Sequence, residues 1–316
     1  MAVSNIETMA ALQDSDAACV GCGARMELQH ELDGHAVTRC PSCGLYALHL
    51  DAPRHDASRL ERTEFEGALR ELRLENYAFI LDQLERGAPL AGRKLLDVGC
   101  SSGWFLEAAR RAGCRCYGIE PDEFFFVQAR AAAQPGVEVA HGSFPRDLPA
   151  EWAPFDLITF HDVFEHLPEP EAILRACNEM LTPDGRLVLS LPSADGFVFR
   201  LAGVLGRLGL RGPLARVFQV KYPYPHLFYF NPRSLAVLAE RVDLVVQVQR
   251  LRAFSSRGAL HRSRMDRTDG VLSGLLAYLN AGALMLFALV ERLLPADNVL
   301  VVLRRKGNRG PASKLG

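Results

Sequence analysis

The sequence predicts an α/β fold: a parallel sheet covered by helices on both faces, preceded by a small cysteine module. Three observations predict it. Strand-like and helix-like segments alternate from about residue 93 onward. Four cysteines fall into two CxxC pairs before residue 50. The chain has 316 residues and is 49% hydrophobic, enough for one large core plus a small unit.

Taken in order, residues 1–55 form the first unit, opening with a disordered tail and closing with the polar stretch "LDAPRHDASR". "CVGCG" and "CPSCG" place Cys19, Cys22, Cys40 and Cys43 with seventeen residues between the pairs, inside the window of a four-thiolate zinc site. Redox CxxC motifs do not come doubled at this spacing. Four thiolates close the coordination shell, so the predicted zinc is structural. Cys100, Cys114, Cys116 and Cys177 read as packed thiols.

Between Leu60 and Arg86 the apolar residues Phe65, Leu69, Leu72, Tyr77, Ile80 and Leu84 recur mostly at helical spacing, which predicts an amphipathic helix with a break near Asn76. Then "RKLLDVGC" reads as a strand, "WFLEAARRAG" a helix, "CRCYGIE" a strand and "EFFFVQARAAAQ" a helix. "VEVAHG" and "FDLITFHDV" are strands, "EPEAILRACNEML" a helix and "GRLVLSLP" a strand. Such alternation implies βαβ units, whose ligands sit beyond the carboxyl ends of the strands. "DLVVQVQRLRAF" and "DNVLVVLRRK" read as two final strands.

In "LLDVGCSSGWF", Asp97 precedes a turn bounded by Gly99 and Gly103, with Cys100 and Ser101 inside it. A carboxylate there would repel a pyrophosphate and suits a ligand with an ammonium group. Glu120 ends the next strand twenty-three residues later, where an acidic side chain accepts both hydroxyls of a ribose. A ligand with an amino acid end and a nucleoside end satisfies both.

With these residues in place, the segment from Leu60 to Lys306 resembles the class I S-adenosylmethionine-dependent methyltransferases. "DVGCSSG" is similar to that family's D/E-x-G-x-x-x-G loop, which implies Asp97, Gly99, Cys100, Ser101 and Gly103 around the methionine part. "GIEPD" resembles the ribose-binding strand end, implying Glu120 on the hydroxyls and Pro121 under the adenine edge. "HGSF" lies where the family often has Gly-Asp near adenine, with Ser143 in the acidic position and Phe144 after it. The block starting "FDLITFHDVFEHL" resembles the fourth and fifth strand region, with His161 and Asp162 flanking the cofactor. The resemblance implies a Rossmann-like seven-stranded methyltransferase sheet over residues 56–306, with insertions at 193–232 and 254–296 and a flexible tail at 307–316.

Methyl transfer from a sulfonium is an in-line displacement that demands orientation and exclusion of water. A hydroxyl acceptor also loses a proton, and His166 and His226 are the candidate bases, each balanced by a role as a loop-bonding histidine.

The net charge of −1 argues against a whole-protein nucleic-acid binder. Between Gly196 and Arg267, however, 13 Lys or Arg face 3 Asp or Glu. Phe197, Leu201, Val204, Leu205 and Leu208 form a helical stripe within that basic stretch, which suits an anionic acceptor or an anionic membrane surface. Val271 to Val290 is free of charge over twenty residues, but pairing of the two final strands in one sheet is incompatible with a single membrane crossing between them. No basic patch followed by an apolar run occurs at the N-terminus, so a cytoplasmic location is expected, peripheral to the membrane if 271–290 touches it.

These readings converge on O-methylation of a small anionic or lipid- or sugar-linked acceptor. Two alternatives stay open: a ribosomal RNA methyltransferase that reads RNA through the cysteine module, and a non-catalytic adaptor on a cofactor-binding domain.

Overall fold

The structure, a computed structural model, describes residues 18–50, 59–220, 222, 224–251 and 293–307. The expected N-terminal tail, the linker after Leu50, the apolar run Val271 to Val290 and the tail beyond Gly307 lie outside the described residues. Among the described residues, no helix is long and apolar enough to cross a membrane.

The cysteine module is a meander of β1 (Glu27–Leu32), β2 (His35–Arg39) and β3 (Tyr46–Leu48). Asp33 and Gly34 join β1 to β2, both with positive φ, as a two-residue hairpin turn with matching twist requires. The sheet has a fourth strand, β9 (Phe228–Tyr229), pairing antiparallel with β3 through Tyr46 with Tyr229 and Ala47 with Phe228.

Helix α1 (Arg59–Gly87) runs unbroken through Asn76. The large sheet then takes β4 (Lys94–Val98), β5 (Arg115–Glu120), β6 (Val137–His141), β7 (Phe155–His161), β8 (Leu181–Pro192), β10 (Leu244–Leu251) and β11 (Asn298–Arg305). Their order is β10-β11-β8-β7-β4-β5-β6. Pairs from β6 across to β8 are parallel, and β11 is antiparallel to both neighbours. The two final strands therefore do pair in one sheet.

Helices α2 (Trp104–Arg111), α3 (Glu123–Ala132), α4 (Pro170–Met180) and α7 (Pro232–Glu240) cover the sheet. Burial on both faces explains the near-continuous apolar runs of the strands. Leu187, Leu189 and Leu191 of β8 join Leu174, Cys177, Leu235 and Leu238 in one core, while Val188 joins Ile80, Leu84, Phe105 and Leu106 on the other side. Gly118 permits α2 to lie close on β5, since a Cβ there would come within 2.7 Å of Leu106 and 2.8 Å of Cys100.

The segment after β8 carries α5 (Phe197–Arg207) and α6 (Gly212–Val217). These helices pack on the cysteine module: Phe199, Ala202, Leu214 and Phe218 share a core with Leu32, Val37 and Leu48. The thiol end packs on the large domain, with Cys19, Cys40 and Cys43 in one cluster with Leu235 and Leu238.

Asn231 ties the two units together. Its Oδ1 accepts from Ser234 N at 2.8 Å to cap α7, and its Nδ2 donates to Cys43 O at 3.2 Å. Asn231→Ala is expected to cost about 2–3 kcal/mol, a lost cap plus a buried carbonyl left unpaired. Asn231→Asp, which keeps the cap and loses the donor, should fall between that variant and wild type in denaturant titration.

Candidate functional site

The strand order reverses between β4 and β7, so their carboxyl ends open a crevice of the kind that holds ligands in open α/β sheets. Asp97, next to last on β4, is buried, and its Oδ1 accepts from Thr159 Oγ1 at 2.7 Å. Asp97 and Thr159 are register partners across β4 and β7, which fixes the bond. Burial pushes the Asp97 carboxyl up to about 8; the Thr159 bond opposes this and the Glu120 charge adds to it.

Val98 leads into the turn. Gly99 has φ +68°, and a Cβ there would lie 2.7 Å from Val163, so the turn and the loop after β7 require glycine. Ser101 also sits in the left-handed region, at φ +48°, a conformation that costs a non-glycine residue roughly 1–2 kcal/mol. It aims the Ser101 amide at Glu120 Oε2, 2.8 Å away. Asp122 N holds the other oxygen, Oε1, at 2.9 Å, so the Glu120 carboxylate is fixed from both sides. A carboxylate held in this way is acceptor-only, the chemistry that a ligand diol requires. Gly103 is the N-cap of α2, and Cys100 is a buried thiol in the turn.

Pro121 follows, its carbonyl accepting from His141 Nε2 at 3.1 Å. Ser143 is exposed, with its amide donating to Asp147 Oδ2 at 2.8 Å, and Phe144 meets Phe160 edge-on. Asp147, four residues on, thus supplies a carboxylate next to the position where Ser143 has none.

His161 packs on Phe105, at 4.0 Å between ring centroids, and on Tyr77, at 5.2 Å, and those two rings meet each other at 5.1 Å. Its Nδ1 is 3.0 Å from Ser190 Oγ, and its Nε2 is buried 3.9 Å from Asp97 Oδ1, beyond hydrogen-bond reach. Burial, with the Arg73 charge adding, pushes the ring down to about 3, so it is neutral. Asp162 has φ +54° and lies 3.8 Å from Arg73.

His166 and His226 meet each other, with ring centroids 4.8 Å apart. His166 Nδ1 lies 2.8 Å from Pro225 O, and a carbonyl only accepts, so Nδ1 carries the proton and Nε2 the lone pair. Tyr229 donates to Val217 O and so accepts from His226 Nδ1 at 3.2 Å, which leaves the His226 Nε2 lone pair 3.9 Å from Glu165 Oε1. Glu165 is fully buried, and burial raises its carboxyl well above the usual range. The proton that this group of lone pairs demands therefore resides on Glu165. Burial pushes His166 down to about 4.

The four predicted thiols come together. Cys19 and Cys43 Sγ are 3.6 Å apart, Cys22 and Cys40 Sγ 3.4 Å, and all four lie within 4.8 Å of one another. A tetrahedral shell with ~2.3 Å zinc–sulfur bonds has sulfurs roughly 3.8 Å apart, so the cage fits zinc.

Thr159, Ser190 and Arg73 do not stand out in the sequence, and Tyr77 does so only as part of a helical apolar stripe. Thr159 and Ser190 carried a faint signal, hydroxyls inside otherwise apolar strands.

Among curated proteins, the chain is 37% identical over 127 residues to the ubiquinone biosynthesis O-methyltransferase of Xylella fastidiosa (strain 9a5c), covering 39% of this chain and 52% of that protein. It is 36% identical over 140 residues to the protein of that name from Xanthomonas euvesicatoria pv. vesicatoria (strain 85-10), covering 43% and 56%. The chain thus spans about half the length of the curated relatives it matches. Among solved structures, the complex of the Haloferax volcanii Trm112 methyltransferase activator with a methyltransferase superimposes with a TM-score of 0.54 at 15% identity, over 79% of this chain and 99% of that one. Mycolic acid cyclopropane synthase CmaA1, solved with SAH and CTAB, gives 0.52 at 16% identity over 72% and 82%. Both show the same fold. Residues 68–249, more than half of the chain, match the family described as Methyltransferase domain, and the chain belongs to that family.

Proposed function

We propose that the protein transfers the methyl group of S-adenosylmethionine to an oxygen of a small-molecule acceptor, anionic or lipid-linked. The observation that carries this reading is the pair of acidic groups at the crevice: Asp97, buried against Thr159, and Glu120, fixed by two backbone amides. The first suits an ammonium and the second a ribose diol. Gly99, Cys100, Ser101 and Gly103 would line the methionine part, with Pro121, Ser143 and Phe144 on the adenine side. His161 and Asp162 would flank the cofactor. The cofactor, when bound, supplies a methyl group already activated on a sulfonium sulfur.

The chain's own work is then to orient, to exclude water and to take up one proton. His166 Nε2 carries the lone pair that would take the proton of an acceptor hydroxyl, as a weak base because burial holds the ring down to about 4, and His226 with Glu165 would hold the ring pair in place. Relatives named O-methyltransferases support oxygen as the acceptor atom. An acid-free stretch from Gly196 to Ala239, with Leu201, Val204, Leu208 and Leu210 exposed between arginines, supports an anionic acceptor met at a membrane surface. On this reading the protein works at the cytoplasmic face. The four-cysteine cage would hold a structural zinc.

The test is incubation of the purified protein with radiolabelled S-adenosylmethionine and cell extract split into lipid, sugar and RNA fractions. Label in an ether of a lipid or small anionic acceptor is expected; label confined to RNA would overturn the reading.

Three outcomes follow from the geometry. An ammonium requires Asp97 ionised, whereas the free protein keeps it protonated below about pH 8. Cofactor affinity should therefore rise about tenfold per pH unit from about 6 toward 8, then stop rising and fall as the ligand's own ammonium loses its proton, and Asp97→Asn should bind weakly without the rising limb in calorimetry. His166→Ala should lower kcat about 10²–10⁴-fold while cofactor affinity holds. The purified chain should carry about one zinc per molecule by elemental analysis, and Cys40→Ser should lose it and melt at lower temperature.

A further inference from the structure

A cavity of about 390 Å³ lies between the cysteine module and α5, walled by two regions far apart in sequence. His30 and Arg39 come from the module, and Arg200 and Arg207 from α5. Its floor is apolar: Phe199, Leu214 and Phe218 are buried there. The volume is that of a small-ligand site.

The charge on its walls is one-sided. Among the described residues Asp195 is the one carboxylate lining it, and Asp195 is engaged with Arg200 at 2.9 Å. Glu27, opposite Arg39 in the β1–β2 ladder, is exposed and lines no part of the cavity. Arg39 lies 5.7 Å over the ring of Tyr46, and Tyr46 meets Phe199 edge-on at 4.9 Å. Arg39 is thus held beside an aromatic wall. A positive field is registered by His30, which burial, then Arg207 and Arg211, push below the usual histidine range.

Room has been left in the cavity. A Cβ built on Gly203, in the middle of α5, meets nothing within 4 Å, so no close approach demands glycine there. Glycine inside a helix costs roughly 1 kcal/mol relative to alanine. Its effect at this position is to keep the cavity open.

We propose that this cavity binds an organic phosphate, the phosphoryl group between Arg39 and Arg207 and the planar or apolar body along Tyr46 and Phe199. A guanidinium pair recognises phosphate oxygens with parallel hydrogen bonds, and an aromatic wall adds affinity that inorganic phosphate cannot gain. Asp195 lies five residues beyond Ser190, the partner of His161, which is at most about 18 Å of extended chain. The phosphate can thus be the handle of the methyl acceptor, which rests on the function proposed above, or belong to a separate ligand.

The test uses the full chain, saturated with S-adenosylhomocysteine, titrated with uridine diphosphate, phenyl phosphate and inorganic phosphate. Saturable one-to-one binding is expected, with both organic phosphates tighter than inorganic phosphate. Arg39→Gln and Arg207→Gln should each weaken it at least tenfold. Gly203→Leu should abolish it by filling the space while every cation stays in place. Unchanged S-adenosylhomocysteine affinity in these variants reports an intact fold, and Gly203→Ala serves as a milder variant should the leucine disturb the helix. No saturable binding, or binding indifferent to all of these substitutions, overturns the proposal. Where methyl transfer is measured, a raised acceptor KM with kcat kept in Gly203→Leu assigns the phosphate to the acceptor; an unchanged KM assigns it to a separate ligand. Absence of methyl transfer would sink the proposed function and leave the binding result to decide this site.

Discussion

A carboxyl group buried at the reversal point of the sheet is the constraint around which this protein is organised. Asp97 has little water, one hydroxyl from Thr159 and a second carboxylate in Glu120 close enough to be felt. Burying such a group without a counter-charge is unfavourable, and among the described residues no Lys or Arg forms an ion pair with it. His161, 3.9 Å from it, is kept neutral by its own burial against Phe105 and Tyr77. The free protein thus holds a neutral acid, which a bound cation would ionise, where strand order leaves an opening. The left-handed Ser101 is part of the same arrangement: a strained residue whose amide holds Glu120 in place.

Much of the large domain was legible because parallel strands carry their signal locally. The strand and helix runs follow from alternation, and Asp97 and Glu120 at strand ends from acidic residues closing apolar runs; the seven-stranded sheet was implied by the family resemblance, and its order is read from the structure. Less legible were side chains whose meaning depends on register. Thr159 matters because β4 and β7 align it with Asp97, and nothing in "FDLITFHDV" states which strand lies alongside. Likewise α1 continues through Asn76 because Tyr77, Ile80 and Leu84 pack on the sheet, and burial outweighs one weak helix former.

The relation between the two units was the least legible. The spacing of Cys19, Cys22, Cys40 and Cys43 announces a metal cage, and spacing alone describes a self-contained knob. In the structure the knob is embedded. One end shares the large core through Leu235 and Leu238, and the other shares a small core with α5 and α6. The basic insertion after β8 therefore has a partner surface, and the cavity between them exists only because both are present.

The strand pairing of Tyr46 with Tyr229 bears on the order in which the chain is made. The first three strands of the small sheet leave the ribosome long before the fourth, which follows roughly 180 residues later. At about 5–20 residues per second the interval is on the order of 10–40 s. Throughout it, β3 presents an open edge and the thiols face solvent without their covering helix. A cation captured early by those sulfurs would hold the hairpin in shape and shield its cysteines until the distant strand arrives.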